Sequence, residues 1–147
     1  MPGRLLALGF GALAGLFMAV QGTLNTQLAK VIGRVEALAV IQAVGLVSAG
    51  LLLVVPRSGT GDLSRLALAP WYTLFGGVLG VAITFTVVAA MSRLGIATAT
   101  TAILVAQILA AAAIDHFGLL GAECRPFSWL KLVGVGLLAA GARILLG

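Results

Sequence analysis

Ionisable residues are what this chain has least of. Of its 147 residues only 9% are charged, nine Lys or Arg and four Asp or Glu, with a single His. A soluble domain of that length needs a charged surface, and thirteen formal charges cannot cover one. The same scarcity removes most enzyme chemistry. No nucleophile triad, phosphate-binding loop or metal-ligand cluster can be assembled, so neither an enzyme nor a cofactor or metal site is expected. Cysteine is limited to Cys124, which excludes an intrachain disulfide and reads as a free thiol in the last loop. The net charge of +5 is spread singly along the chain rather than gathered in a basic patch, so nucleic acid is not an expected partner.

What remains is apolar: 61% of residues are hydrophobic and the mean hydropathy is +1.19. Crossing the hydrocarbon core takes about 20 apolar residues as a helix, at roughly 1.5 Å each. Five runs come close to or exceed that length, at about 5–29, 37–55, 70–92, 94–114 and 129–146. They predict an all-α integral membrane protein, a single domain of five transmembrane helices over 1–147, with the lipid bilayer as its surroundings. The first run follows Arg4 and reaches Ala29, too long for the core of a signal peptide, and is expected to be a mature helix. The fifth is the weakest, because Lys131 and Arg143 must snorkel outward. Turn-forming residues fill 57–62, between the second and third runs.

Trp71 and Tyr72 follow Pro70 at the start of the third run, where aromatic rings anchor in the headgroup zone or hold a cation. Gly11 and Gly15 form a GxxxG pair, Gly76, Gly77 and Gly80 narrow one helix, and Gly134 narrows the last. Small residues of this kind let helices approach closely. No internal repeat is evident.

Five spans place the termini on opposite faces of the membrane. One face then carries Arg4, Arg57, Arg65, Arg125 and Lys131; the other carries Lys30, Arg34, Arg93 and Arg143. An excess of one positive charge is too small to fix an orientation. The expectation is dual topology, with each copy pairing with an inverted copy as an antiparallel homodimer. Such pairing generates the inverted repeat on which many transporters are built.

No Lys, His or carboxylate sits in the middle of a run, which argues against coupling through a midplane carboxylate. The polar groups there are amides: Gln21, Asn25 and Gln27 in the first run, Gln42 in the second, Gln107 in the fourth. Gln21 and Asn25 are four apart and share a helical face. An unsatisfied polar group in hydrocarbon costs several kcal/mol, so these amides either bond between helices or line a substrate cavity. Gln107, well inside its run, is the stronger cavity candidate. Thr84, Thr86, Thr98, Thr100 and Thr101 are expected to bond back to their own helices. Asp115 and His116 close the fourth run, either as a helix-end arrangement turned by Gly118 or as a proton gate near neutral pH.

With those residues in view, the chain resembles the drug/metabolite (EamA-like) transporter superfamily and, within it, the short bacterial five-helix YdcZ-like family. Gly15, Gln21, Asn25 and Leu28 match in the first helix, and Pro70-Trp71 with Gly76, Gly77 and Gly80 in the third. Gln107 and Ile114-Asp115-His116-Phe117-Gly118 match the end of the fourth, then Pro126, Gly134 and Gly141 the tail. The Asp-His-Phe-Gly segment with its upstream Gln is the most specific part of a resemblance that covers nearly the whole chain. Two positions depart from the pattern: Ala106 stands in place of a Gly and Ser92 in place of a Pro.

The resemblance implies a multi-pass protein of the bacterial cytoplasmic (inner) membrane, forming a ten-helix transporter from two inverted five-helix halves. The second half is another copy or a paired homologous chain. The related small multidrug resistance proteins place a Glu in their first helix, in a region occupied here by Gln21 and Asn25. The expected function is secondary transport of a small-molecule substrate, a metabolite or amphiphile, by alternating access around Gln21, Asn25, Gln42 and Gln107. The rivals are a non-transporting membrane subunit or scaffold that needs a partner chain, and a passive channel or lipid scramblase.

Overall fold

Inside a bilayer a polar backbone has to satisfy itself, and long apolar runs do so by coiling into helices. The structure, a computed structural model, describes residues 2–55, 61–125 and 128–146. It contains α1 (Pro2–Ile32), α2 (Arg34–Val54), α3 (Phe75–Leu94), α4 (Ile96–Phe117) and α5 (Trp129–Leu146). Short 3-10 turns lie at Leu63–Leu68, Trp71–Leu74 and Leu119–Gly121, and the described residues contain no strand. Most of the expected turn at 57–62, together with Pro126, lies outside the described residues.

Among the described residues four segments are long and apolar enough to cross a membrane: Leu5–Ile32, Arg34–Val54, Trp71–Leu94 and Ile96–Phe117. Helix α5 has 18 residues, about 27 Å at 1.5 Å each, with Lys131 and Arg143 in its outer turns.

The helices extend past the charge-free runs. Helix α1 passes through Lys30 to Ile32, α2 begins at Arg34 instead of 37, and α4 reaches Phe117 instead of 114. Lys, Arg and Glu are good helix formers, so charge does not end a helix. The starts of α3 and α4 come later than expected: Trp71–Leu74 winds as a 3-10 turn before Phe75, and Gly95 interrupts the chain before Ile96; α2 ends one residue early, at Val54.

Glycine forms two of the junctions between helices. Gly33 (φ 97°, ψ 158°) separates α1 from α2, and Gly95 (φ 82°, ψ 167°) separates α3 from α4. That backbone region is open essentially to glycine only. At each junction the glycine carbonyl accepts a bond from the amide four residues on, Ala37 at 3.1 Å and Ala99 at 3.2 Å. Both alanines are buried, at 1% and 0% exposure. The junction therefore recurs in the chain, a Gly-x-x-x-Ala pattern too sparse to show as a sequence repeat.

The chain forms two compact units, Met1–Ser92 and Arg93–Gly147. In the first, α1 lies against α2, and Gly22 of α1 meets the side chains of Met91 and Val87 of α3. A Cβ on Gly22 would stand 2.7 Å from Met91 Cε and 2.8 Å from its Sδ. Thr26, one turn on, is buried and donates its hydroxyl to the Gly22 carbonyl at 2.7 Å. In the second unit α4 lies against α5 and against the 3-10 turn that follows it.

Candidate functional site

The four amides of the expected substrate site divide between the units. Gln21, Asn25 and Gln42 belong to the first and Gln107 to the second. Gln21 and Gln107 are exposed, Asn25 and Gln42 half-buried. Gln21 and Asn25 share a face of α1, about 100° around the helix from the buried Gly22 and Thr26, so they border the packed seam. Among the described residues none of the four amide side chains makes a hydrogen bond. The described residues do not supply the partners that hydrocarbon would demand.

The hydroxyls sort differently. Thr84 donates to the Gly80 carbonyl, Thr86 to that of Ala82 and Thr101 to that of Ala97, each at 2.9 Å, as expected of threonines within helices. Thr98 makes no such bond among the described residues, because its partner four residues back, Leu94, precedes the Gly95 break. Thr100 is the other exception: its buried hydroxyl has no partner among the described residues.

The end of α4 is a built structure. Gly118 sits in the left-handed region (φ 60°, ψ 35°) and donates its amide to the Ile114 carbonyl. The chain then folds back. The Arg125 amide donates to the Asp115 carbonyl at 2.7 Å, and the Cys124 thiol donates to the His116 carbonyl at 3.2 Å. Two carbonyls that a helix terminus leaves unpaired are thereby satisfied. A Cβ on Gly118 would meet the Ala122 carbonyl oxygen at 3.3 Å and Cys124 Cβ at 3.4 Å, so close approach and backbone conformation both select glycine. The His116 ring packs edge-on against Phe117 at 4.8 Å. Asp115 and His116 thus stand in a helix end turned by Gly118, in which the exposed Cys124 thiol takes part.

Asp115 and Lys131 also line a cavity of about 400 Å³ between α4 and α5. Ile108, Ala111 and Ala112 form one apolar wall, Val135 and Leu138 with Gly134 the other. On each helix the lining residues recur at the i, i+3, i+4, i+7 spacing of a single face. Sequence reasoning saw Lys131 as a snorkelling flank and did not pair it with Asp115. The available signal was their position at the two ends of one loop.

Trp71 and Tyr72 are exposed, at 73% and 50%, and stack edge-to-face in a row with Phe75 at 6.4 and 5.9 Å. Exposed rings at a span's end suit anchoring in the headgroup zone better than a closed cage. Gly11, Gly15, Gly76, Gly77, Gly80 and Gly134 have open space where a Cβ would stand. The glycine that does bring helices together, Gly22, lies in the first run four residues before Thr26, a small-residue spacing the sequence offered beside the more visible GxxxG.

No curated protein and no solved structure matches the chain. A family model does, over residues 6–144, with the description "putative inner membrane exporter, YdcZ". That match takes in all five helices and the carboxylate-bearing end of α4. The chain belongs to the YdcZ family of inner membrane exporters and is a multi-pass protein of the inner membrane.

Proposed function

We propose that the chain is one half of a secondary transporter that carries a small metabolite or amphiphile by alternating access between two inverted copies. The observation that carries this reading is the set of amides, Gln21, Asn25, Gln42 and Gln107, that make no hydrogen bond among the described residues. A substrate or a second copy provides such partners within the bilayer, where leaving them unpaired is costly. The spans agree, for the chain buries only a small share of each of them. In this reading α5 is the fifth span, its Lys131 and Arg143 reaching toward the two headgroup layers, and the two units act as one membrane domain. A paired homologous chain would serve as the second half equally well.

Purified protein screened against metabolites and amphiphilic cations tests the reading. The expected result is a two-copy particle that a subset of ligands stabilises, with saturable, gradient-dependent flux. Gln21→Ala and Gln107→Ala are each expected to raise the half-saturating concentration up to about tenfold, the weight of one lost hydrogen bond. A monomer that no small molecule stabilises would instead identify a scaffold. Flux that neither saturates nor follows a gradient would identify a channel or scramblase.

A further inference from the structure

From the cavity between α4 and α5 we infer a binding site for a phospholipid whose headgroup joins a primary ammonium to a phosphate, that is, for phosphatidylethanolamine. The inference goes beyond the transport reading and stands without it. Asp115 lies in the last turn of α4 and Lys131 in the first turn of α5, and both line the cavity. Each charge sits at the wrong end of its helix. A helix C-terminus carries partial negative charge, to which Asp115 adds, and a helix N-terminus carries partial positive charge, to which Lys131 adds. No ion pair joins the two side chains among the described residues. Local choices that conflict with helix electrostatics are expected at functional sites.

One ligand relieves both conflicts. An ammonium beside Asp115 meets a carboxylate and the negative end of α4; a phosphate beside Lys131 meets an ammonium and the N-terminus of α5, a natural anion position. The walls supply the rest of the argument. Ile108 lies seven residues before Asp115, and Leu138 seven after Lys131. The apolar lining therefore runs inward from the charged rim for about two turns, roughly 10 Å, along the direction an acyl chain takes from its headgroup. Phosphatidylcholine cannot donate a hydrogen bond to Asp115, and phosphatidylglycerol has no cation to offer it.

The full chain, purified in mild detergent, is offered equal amounts of short-chain phosphatidylethanolamine, phosphatidylcholine and phosphatidylglycerol. Native mass spectrometry counts the retained lipid, and thermal unfolding reports stabilisation. The expected result is retention of the ethanolamine lipid about tenfold above the other two, as loss of one charge-assisted bond implies. Asp115→Asn should bring the three lipids to parity, whereas Lys131→Gln removes the phosphate contact that all three share and should lower retention of each. Gly134→Leu keeps both charges but fills the wall, and should lower retention of all lipids; it decides the matter if the charge variants do not fold.

Equal retention of the three lipids by the unsubstituted chain overturns the proposal, as does a preference unchanged by Asp115→Asn or an overall retention unchanged by Lys131→Gln. Stabilisation by soluble phosphoethanolamine equal to that by the lipid would assign the cavity to a water-soluble zwitterion. Lipid-insensitive crosslinking through Leu138→Cys would assign it to a second copy. Loss of transport with lipid retention intact would count against the transport reading and leave this one standing.

Discussion

Gly22 shows how much rests on one missing side chain. Its neighbours on α3 are the far ends of flexible groups, Met91 Cε and Sδ, with Val87 Cγ1 at 3.4 Å from an added Cβ. A single methyl is therefore expected to be tolerated. Turning Met91 aside costs about 0.5–1.5 kcal/mol, and the helix gains about 0.5–1 kcal/mol when alanine replaces glycine. Gly22→Leu has no such escape, and overpacking should destabilise the first unit by about 1–3 kcal/mol. Unfolding titrations in mixed micelles compare the two, and Met91→Ala should recover part of the leucine variant's loss.

Outside the membrane, Asp62 caps the 3-10 turn Leu63–Leu68. The Ser64 hydroxyl donates to its carboxylate at 2.7 Å and the Ser64 amide at 2.9 Å, and these two bonds hold the carboxyl below its ordinary value of 3.8. A carboxyl depressed in the folded state lends stability above its unfolded pKa, and that stability is lost as pH falls through the folded value. The turn is thus expected to hold down to pH 3.8 and loosen only below it. Ser64→Ala should raise the Asp62 midpoint toward the ordinary value in an NMR titration.

At the scale of elements, the junctions matter more than the helices they join. Gly33 and Gly95 adopt a conformation that costs other residues about 1–3 kcal/mol, so Gly33→Ala and Gly95→Ala should each destabilise the protein by that amount. Gly76→Ala in helical α3, where a Cβ meets open space, should instead be neutral or gain about 0.5–1 kcal/mol. Denaturation midpoints of the three variants check the contrast. The apolar runs made the helices legible in the sequence, because length and hydropathy alone dictate them in hydrocarbon. Their ends were not legible, because charged residues continue a helix readily, while α1, α3 and α4 end at positive-φ glycines that no hydropathy run marks. The Asp115–Lys131 cavity was hidden for another reason. It exists only when two helix faces meet across the loop around Cys124, and no local pattern in either helix encodes that meeting.

For the whole molecule the question is what covers the helices. The chain buries little of its own spans, and lipid or a second copy must take the remaining surface. Dual insertion rests on the near balance of Arg4, Arg57, Arg65, Arg125 and Lys131 against Lys30, Arg34, Arg93 and Arg143. Cys124 is exposed and is the single cysteine, and in the proposed five-span topology it shares a face with the first group, so a membrane-impermeant maleimide reports which way each copy lies. Mixed insertion predicts labelling from outside intact cells and also from the opposite side in inverted vesicles. It further predicts that no disulfide joins the two copies of an antiparallel pair, whose Cys124 residues lie on opposite faces. The charge balance gives the experiment its lever. Arg34→Gln with Arg93→Gln strips the second face, should draw the Cys124 face to the cytoplasm, and should reduce labelling from outside. Arg65→Gln with Arg125→Gln strips the first face and should raise it. Because an antiparallel pair needs both orientations, either double substitution should also lower transport, and co-expressing the two variants should restore it. Labelling of the unsubstituted chain from one side only would rule out the dual topology, and the second half of the transporter would then have to be a different chain.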